Sequence, residues 1–454
     1  MLDTSAFHPS QRQWLCRCCG GRVAEASDFA SAFAKATADK CATPDKSADR
    51  RCLILDSLTN CEFEIVMAKR IAILGSTGSI GRKALQVIGA LGSEYAVVAL
   101  SAHSNIRLLA EQARRHRPKF IAVTNADYAH QLRELVGGLG IEILAGPESL
   151  ADLAQLEEAD IVLTAVVGAA GLPAALAAVR KGKRLAIANK EPLVIAGELL
   201  TREAKENGSI ILPVDSEHSA IFQAMRAGNH DEVRKIILTA SGGPFKDATV
   251  IDIQNVTLEQ ALSHPVWDMG PKITVDSATM MNKAFEIIEA SFLFDMPVEQ
   301  IEVLVHPESI VHSLVEFVDG SVIAQLAVPD MCLPIQYALT YPERVAGIGE
   351  GLRLDEIGKL TFERPNLETF RALSLGYKVA KAGGTAAAVF NAANETAVQE
   401  FLAGRIRFAN IIELVESVLD RNHNARAGIG LEDLLEADVW ARRQVLELIH
   451  QFEI

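Results

Sequence analysis

Two carboxylates flank a serine in the segment PVDSEHSAIFQ, residues 213–223, at the end of an apolar run. If the chain is still extended at Asp215, the side chains of Asp215 and Glu217 point the same way, because strand side chains repeat every two residues. Two acids on one face suit a hard divalent cation. Alternatively, Asp215 caps the next helix and Glu217 interacts favourably with the dipole of its first turn. The segment alone favours neither interpretation.

A second acidic segment reads VDSATMMNKAFEIIEASFLF, residues 275–294. Helical spacing places its large apolar residues on one face: Met281, Phe285, Ile288 and Phe292. Asn282, Lys283 and Glu286 then share another face. Because Glu289 continues that stripe, a solvated helix face would look similar. A third carboxylate from Glu286 would nevertheless complete an oxygen-rich set suited to Mg²⁺ or Mn²⁺.

A glycine-rich loop, GSTGSIG at residues 75–81, follows the first apolar run of the main body. Glycines in a strand-turn-helix setting permit a tight turn and the close approach of a pyrophosphate to the helix N-terminus. A turn that merely packs the strand on the helix is the alternative. The next run ends in LSAHSNIR, without the acid of a typical NAD site, so NADP is favoured. Five side chains could meet its 2′-phosphate: Ser101, His103, Ser104, Asn105 and Arg107.

These candidate groups must be positioned by alternating strands and helices. Seven apolar runs, RIAILG, YAVVALSA, FIAVTN, IEILAG, IVLTAVVG, RLAIANK and SIILPVDS, alternate with amphipathic stretches. This pattern predicts a doubly wound parallel sheet of the α/β class. Residues 306–330 alternate as a strand hairpin around the Asp319-Gly320 turn. From about Leu367 to Ile454 the pattern is helical.

We therefore predict three domains. They are an N-terminal doubly wound, Rossmann-like NADP domain over residues 67–214, a central α/β (α+β) catalytic and dimerisation domain over 215–344, and, after a linker at 345–366, a C-terminal helical bundle over 367–454. Residues 1–66 carry an imperfect low-complexity repeat and neither strand nor helix periodicity. We interpret them as a disordered or spurious extension, with Met67 as the true start.

Composition bounds the partners of the chain. The formal net charge of −14 on 454 residues argues against a broad basic face for nucleic acid or an anionic membrane. The longest uncharged run, 161–179, is interrupted by Gly168, Gly171 and Pro173, which favours a strand, a turn and a helix over a membrane span. Six of the seven cysteines fall within the first 61 residues, and only Cys332 follows. A cytoplasmic protein with small-molecule partners is expected.

Several motifs occur together and in order: GSTGSIG, ANKEPLV, PVDSEHSAIFQ, LTASGGPF, HPVWDMGPKITVDSATMMNKAFEIIEA and HPESIVHSLVEFVDGSVIAQLAVPDM. Together they closely resemble the 1-deoxy-D-xylulose 5-phosphate reductoisomerase family, from Met67 to the C-terminus. The resemblance implies NADPH-dependent rearrangement and reduction of 1-deoxy-D-xylulose 5-phosphate to 2-C-methyl-D-erythritol 4-phosphate. This is an early step of non-mevalonate isoprenoid precursor biosynthesis. It also implies one divalent cation, Mg²⁺ or Mn²⁺, and a homodimer with the hairpin at its contact.

The resemblance also implies the site residues. The metal ligands would be Asp215, Glu217 and Glu286, which with Lys190 and His264 form the catalytic set. The sugar phosphate would contact Ser216, Glu217, Ser241, His264, Trp267, Ser277, Asn282 and Lys283. NADPH would contact Thr77, Gly78, Ser79, Ile80, Asn105, Asn189, Lys190, Glu191, Gly270 and Met331. His218 and His312 match histidines of the site region.

The implied reaction needs containment. Retro-aldol cleavage and re-addition rearrange the carbon skeleton before NADPH reduces the resulting aldehyde, so both fragments must stay in place. Residues 264–270, HPVWDMG, resemble a flap whose Trp267 closes over the substrate; we call them the flap segment. Where some family members carry Gly-Lys-Asn, this chain has His103, Ser104 and Asn105, so a lysine is absent. The rival hypotheses are a metal-dependent NADP dehydrogenase of another phosphorylated substrate and a non-catalytic nucleotide sensor.

Overall fold

The computed structural model describes residues 13–16, 23–24, 63–66, 68–267, 269–422 and 429–450. The chain divides into two compact units, one of Met1–Lys69 with Gly92–Ala96 and the other of Arg70–Leu91 with Val97–Ile454. In the first unit, three short strands form an antiparallel sheet in the order β2-β1-β3: β1 (Gln13–Cys16), β2 (Val23–Ala24) and β3 (Phe63–Val66). The sequence did not predict these strands. The rest of residues 1–66 lies outside the described residues, so its interpretation as an extension stays a prediction.

The predicted parallel sheet has seven strands. They are β4 (Lys69–Leu74), β5 (Tyr95–Ala102), β6 (Phe120–Val123), β7 (Glu142–Ala145), β8 (Ile161–Thr164), β9 (Arg184–Ile187) and β10 (Ile210–Pro213). Their order is β10-β9-β8-β4-β5-β6-β7, and the pairs with a defined register are parallel. The strand order reverses between β4 and β8, and ligands of doubly wound sheets bind at the carboxyl ends beside such a reversal.

Helices connect these strands. They are α1 (Ser79–Leu91), α2 (Ile106–His116), α3 (Ala129–Leu135), α4 (Ser149–Gln155), α5 (Leu172–Arg180), α6 (Glu191–Glu206) and α7 (Ser216–Ala224). The uncharged run at 161–179 forms β8, a short turn and most of α5, as predicted. Every residue of β8 is buried, which suits a central parallel strand covered on both faces. Within the described residues, no helix is long and apolar enough to cross a membrane.

The central part of the chain adds a mixed sheet and five helices. The strands are β11 (Val233–Ala240), β12 (Ile301–Val305), β13 (Val311–Phe317) and β14 (Val322–Leu326). The helices are α8 (Val250–Gln254), α9 (Leu258–Ala261), α10 (Pro271–Ala278), α11 (Met281–Leu293) and α12 (Cys332–Thr340). In the order β12-β11-β13-β14, β11 pairs parallel with β12 and the other pairs are antiparallel. The predicted hairpin of β13 and β14 is confirmed, with Gly320 at a φ of 86° in its turn.

The C-terminal part is helical, as predicted. It contains α13 (Leu354–Ile357), α14 (Arg371–Ala382), α15 (Ala386–Leu402), α16 (Phe408–Arg421) and α17 (Leu431–Ile449). Apart from the four-residue α13, which falls in the predicted linker, the helices begin at Arg371, four residues later than the predicted Leu367. One apolar core joins these helices to α10 and α11, with the rings of Phe285 and Phe390 packed edge to face at 5.4 Å. α11, which carries Glu286, also packs against α6. It therefore contacts both the parallel-sheet part of the chain and the C-terminal helices.

Candidate active site

Asp215 and Glu217 are brought together by a helix N-terminus. β10 ends at Pro213, and Asp215 is the N-cap residue of α7. Its Oδ1 accepts a hydrogen bond from the backbone N–H of Glu217 at 3.3 Å. The capping interpretation is therefore confirmed. The expectation that strand alternation aligns the two acids is wrong, because the chain turns into the helix at Ser216.

Glu286 of α11 completes a group of three acids, which we call the acid cluster: Asp215, Glu217 and Glu286. One carboxylate oxygen of each lies within 4.8 Å of the other two. Glu286 is fully buried, whereas the other two acids keep some exposure. Every donor in this set is a hard oxygen, the ligand type that Mg²⁺ and Mn²⁺ prefer. The acid cluster thus fits a divalent cation, and capping does not compete with this use because it occupies only one oxygen of Asp215.

Two lysines neutralise most of the charge of the acid cluster. The Lys190 Nζ contacts Asp215 Oδ2 and lies 3.3 Å from Glu286 Oε1. The Lys283 Nζ lies 2.9 Å from Glu217 Oε1 and contacts Glu286 Oε2. Two ammonium groups against three carboxylates leave one negative charge, which favours a further cation. Lys283 is thus bound to the acids in this structure.

Glu217 and Lys283 favour each other's charged form. Burial acts to raise the pKa of Glu217, but the ammonium groups of Lys283 and Lys190 outweigh it and lower that pKa to about 2. Burial acts to lower the pKa of Lys283, but the carboxylates of Glu217 and Glu286 outweigh it, so the pKa is raised above its usual value. The Glu217 carboxylate and the Lys283 ammonium are therefore both charged at neutral pH.

A break between α10 and α11 aims the polar residues of the second acidic segment. Met280 adopts a left-handed backbone, with φ of 61°, and separates the two helices within the stretch that the sequence presented as helical. Asn282, in the first turn of α11, donates from Nδ2 to Glu286 Oε1 at 2.6 Å. Its buried Oδ1 has no hydrogen-bond partner among the residues that the structure describes. An unsatisfied buried acceptor beside the acid cluster suits a ligand hydroxyl.

The flap segment is joined to Ser241 through His264. The backbone N–H groups of Val266 and Trp267 donate to His264 Nδ1 at 3.1 and 2.9 Å. In the neutral ring the proton is then on Nε2, which lies 3.2 Å from the Ser241 Oγ. Burial lowers the pKa of His264, which favours this neutral form.

Other predicted substrate residues lie in the same region. The Gly243 N–H donates a hydrogen bond to the Ser241 Oγ at 3.2 Å. Gly243 also packs closely on Ser277, since a Cβ added at Gly243 would lie 2.9 Å from the Ser277 carbonyl oxygen. The rings of Trp267 and His312 lie 6.5 Å apart. Burial lowers the pKa of His312 although Glu217 acts to raise it. This part of the region is therefore lined by serine hydroxyls, a neutral histidine and an indole.

The glycine-rich loop has the close packing that a phosphate turn needs. Gly75 has a φ of 87°, and a Cβ there would lie 2.5 Å from the Ala165 carbonyl oxygen beyond β8. A Cβ at Gly81 would lie 2.3 Å from the Gly75 carbonyl oxygen. Thr77, Gly78, Ser79 and Ile80 lie at or beside the first turn of α1 and are at least partly exposed. A helix N-terminus of this kind suits an anionic ligand.

One of the five candidate 2′-phosphate residues is placed elsewhere. Ser101 is buried, and its hydroxyl accepts a hydrogen bond from the Gly75 N–H at 2.9 Å, so the expectation that it meets the phosphate is wrong. His103, Ser104, Asn105 and Arg107 are exposed. Asn105 caps α2, accepting from the Leu108 N–H at 3.3 Å.

The remaining predicted cofactor residues cluster at helix starts. Glu191 opens α6 directly after Lys190, while Gly270 and Met331 are the N-cap residues of α10 and α12. Asn189 is buried, and neither atom of its amide has a hydrogen-bond partner within the described part of the chain. The Lys83 Nζ of α1 lies 3.0 Å from Asp330 Oδ2, which joins the glycine-loop helix to the Met331 segment.

Two charged residues of the region, Glu289 and Lys272, were given no role in the sequence analysis. Glu289, interpreted as the continuation of a polar stripe, is 2% exposed and shares a second close group with His218 and Asp215. His218 Nε2 lies 3.1 Å from the Glu286 carbonyl oxygen. Lys272 lies between two carboxylates, one of them Asp276 four residues later. That spacing could have signalled the pair, but not the burial of Asp276.

Comparison with known proteins identifies the family. Three family models match the chain: 1-deoxy-D-xylulose 5-phosphate reductoisomerase at residues 71–197, the C-terminal domain of the same enzyme at 211–294, and the DXP reductoisomerase C-terminal domain at 326–444. A 1-deoxy-D-xylulose 5-phosphate reductoisomerase of Chloroherpeton thalassium is 50% identical over 379 residues, covering 84% of this chain and 98% of the relative. One of Symbiobacterium thermophilum is 54% identical over 380 residues, covering 83% and 97%.

Solved structures agree with this comparison. The reductoisomerase from Zymomonas mobilis in complex with NADPH superposes with a TM-score of 0.80 at 43% identity, covering 85% of this chain and 100% of that one. A DOX-P reductoisomerase in complex with NADPH, fosmidomycin and magnesium gives 0.80 at 42% identity, covering 84% and 98%. The chain belongs to the 1-deoxy-D-xylulose 5-phosphate reductoisomerase family.

Proposed function

We propose that the chain converts 1-deoxy-D-xylulose 5-phosphate to 2-C-methyl-D-erythritol 4-phosphate with NADPH as reductant. The observation that carries this proposal is the acid cluster with its two lysines, in a chain that also has a glycine-rich loop and a His264 hydrogen-bonded to Ser241. A reaction that rearranges carbon and then reduces it needs a cation site and a hydride donor together. A dehydrogenase of another substrate or a nucleotide sensor is not favoured. The relatives named above are reductoisomerases, and the chain matches them along nearly their whole length.

One divalent cation and NADPH are the cofactors. Asp215, Glu217 and Glu286 would hold the cation, which supplies Lewis-acid stabilisation of negative charge on the sugar oxygens. We propose that NADPH lies along the glycine-rich loop and the starts of α6, α10 and α12. The residues proposed to contact it are Thr77, Gly78, Ser79, Ile80, Asn105, Asn189, Lys190, Glu191, Gly270 and Met331. The unsatisfied amide of Asn189 supports a polar ligand there.

The side chains of the protein position and enclose the substrate. We propose that Ser216, Asn282 and Lys283 bind its oxygens beside the acid cluster, while Ser241, Ser277 and His264 bind the phosphate. The Nε2 proton of neutral His264 allows it to donate a hydrogen bond to Ser241 or to a phosphate oxygen. Trp267 would exclude water when the flap segment closes. Lys190 touches the acid cluster and follows Asn189, so its ammonium would lie between the reacting carbons and the nicotinamide.

We propose a homodimer formed through β14. This strand is the edge of its sheet, and Val322 and Ile323 on it are 47% and 38% exposed. Unpaired edge strands with apolar side chains invite pairing with another chain. The domain boundaries at 67–214, 215–344 and 367–454 are proposed on the element order. The single cysteine after residue 61 supports work in the cytoplasm.

The proposed reaction can be tested on the full chain by following NADPH oxidation with 1-deoxy-D-xylulose 5-phosphate, with Mg²⁺ or with chelator. Turnover should require the metal. Glu286→Gln should lower kcat by at least about a hundred-fold, because it removes one anionic oxygen from a buried site. Glu299→Gln, at an exposed ion pair, is the control and should keep parental activity. NADPH binding without turnover in the parent would refute the proposal.

A further inference from the structure

Lys272 lies between two carboxylates just outside the acid cluster. Its Nζ is 2.9 Å from Glu191 Oε1 and 2.9 Å from Asp276 Oδ2. Both acids are buried, at 6% and 1% exposure, and the ammonium packs 5.2 Å from the centre of the Phe285 ring. None of the predicted roles uses Lys272 or Asp276.

The position of Lys272 connects two parts of the site. It is the second residue of α10, which begins directly after the flap segment. Its partner Glu191 is the first residue of α6 and follows Lys190, whose ammonium touches Asp215 and approaches Glu286. The Lys272–Glu191 pair therefore links the start of α6, next to Lys190, with the start of α10, next to the flap segment.

The C-terminal helices hold the other end of this arrangement. Asn394 of α15 is fully buried and donates from Nδ2 to Asp276 Oδ1 at 2.8 Å. Its neighbour Glu395 touches the loop after β8, since a Cβ at Gly168 would lie 2.5 Å from Glu395 Oε1. Two consecutive residues of one helix thus contact the base of the flap and the nucleotide end of the sheet.

Stability alone is a poor reason for this arrangement. The free energy lost by desolvating a lysine and two carboxylates offsets much of the free energy gained from their attraction. Apolar residues of similar size often stabilise a core as well or better. A fixed geometry is what charged partners add, and catalytic groups lose much of their effect when displaced by about 1 Å. The contacts of Lys272 lie one residue from such a group.

We infer that Lys272 is a positioning residue that sets the place of the Lys190 ammonium at the acid cluster, supported by Asn394 of the C-terminal helices through Asp276. This inference rests on the proposed function for its kinetic consequences. The contacts themselves do not depend on which substrate the site takes.

The first test compares Lys272→Met with Lys272→Arg in the full chain. Lys272→Met should lower kcat at least about ten-fold while changing the KM for substrate less than about three-fold, because Lys190 would be displaced without loss of a substrate contact. Lys272→Arg keeps the charge and should recover kcat to within about three-fold of the parent. Lys235→Met is the matched control, because Lys235 also lies between two carboxylates, at 2.7 and 3.2 Å, on β11 of the mixed four-stranded sheet. It should keep parental kcat.

Asn394→Leu tests the same inference if Lys272→Met does not fold. It removes the hydrogen bond to the Asp276 carboxylate and keeps the volume, and it should lower kcat about three-fold or more with substrate KM unchanged. Parental kcat in a folded Lys272→Met, or in Asn394→Leu when Lys272→Met is unfolded, would overturn the inference.

A double-mutant cycle shows whether Lys272 acts through Lys190. Lys272→Met should change kcat in the parent and leave the residual kcat of Lys190→Met unchanged, since residues acting in series are not additive. The same cycle can be measured as Mn²⁺ affinity by electron paramagnetic resonance, which needs no turnover. The part of the change in Mn²⁺ affinity that comes from the distant charge of Lys272 should appear in both backgrounds. The part that acts through Lys190 should appear only in the parent. Equal effects in both backgrounds would overturn the inference, whereas a parent without turnover would overturn the proposed function alone.

Discussion

Each carboxylate of the acid cluster has an ammonium group as a neighbour, and this pairing explains how three acids share so small a space. Lys190 bridges Asp215 and Glu286, and Lys283 bridges Glu217 and Glu286. Without these cations, the like charges of the three carboxylates would repel one another at such distances. The lysines therefore offset the repulsion among the three carboxylates.

The charged state of Glu217 should be visible in the acid stability of the metal-free protein. Its pKa is lowered from 4.5 to about 2, so ionised Glu217 stabilises the fold above pH 4.5 and this contribution is lost as the pH falls toward 2. Between about pH 5 and pH 3, the free energy of unfolding of the parent should fall by about 2 kcal/mol more than that of Glu217→Gln.

Urea unfolding in chelator at both pH values would measure this difference. Glu259→Gln, at an exposed site on α9, is the control and should follow the parent. Equal pH dependence in the parent and in Glu217→Gln would show that the Lys283 ammonium does not act on Glu217 as described.

Among the elements, the turn from β4 to α1 depends on two glycines. Gly81→Ala should destabilise the protein by roughly 2 kcal/mol or more and weaken NADPH binding, because its Cβ would lie 2.3 Å from the Gly75 carbonyl oxygen. Gly89→Ala is a matched control in the same helix with open space around its Cβ, and it should be neutral or stabilising by up to about 1 kcal/mol. Thermal unfolding and fluorescence titration with NADPH would measure both effects. Equal behaviour of the two variants would contradict the close packing.

The seven parallel strands and the C-terminal helices were predictable because apolar periodicity reports burial directly. The junction at Met280 was not, since a left-handed methionine between two helical segments leaves no mark in that periodicity. The capping of α7 by Asp215 was predicted only as an alternative, because one short pattern fits both a cap and a strand end. The contacts of Lys272 depend on the meeting of α6, α10 and α15, which are far apart in sequence.

For the whole molecule, the exposed edge strand β14 of the mixed four-stranded sheet predicts the oligomeric state. Ile323→Lys should convert a dimer to a monomer, because a lysine on an edge strand opposes pairing with a second chain. Val439→Lys, on α17 where Val439 is 67% exposed, is the control and should leave the dimer intact. Sedimentation velocity would distinguish the two species. A dimer that survives Ile323→Lys would place the contact elsewhere.

The position of α15 along the chain has a consequence for synthesis. The N-terminal part of a protein leaves the ribosome first and can begin to fold before the rest exists. Every residue proposed to bind the metal, the sugar phosphate or NADPH precedes Cys332, whereas Asn394 and Glu395 are translated much later. A nascent chain that stops before α15 would carry the full set of ligand-binding residues without the support at Asp276 and at the loop after β8. Completion of the active enzyme should therefore wait for one of the last helices to be made.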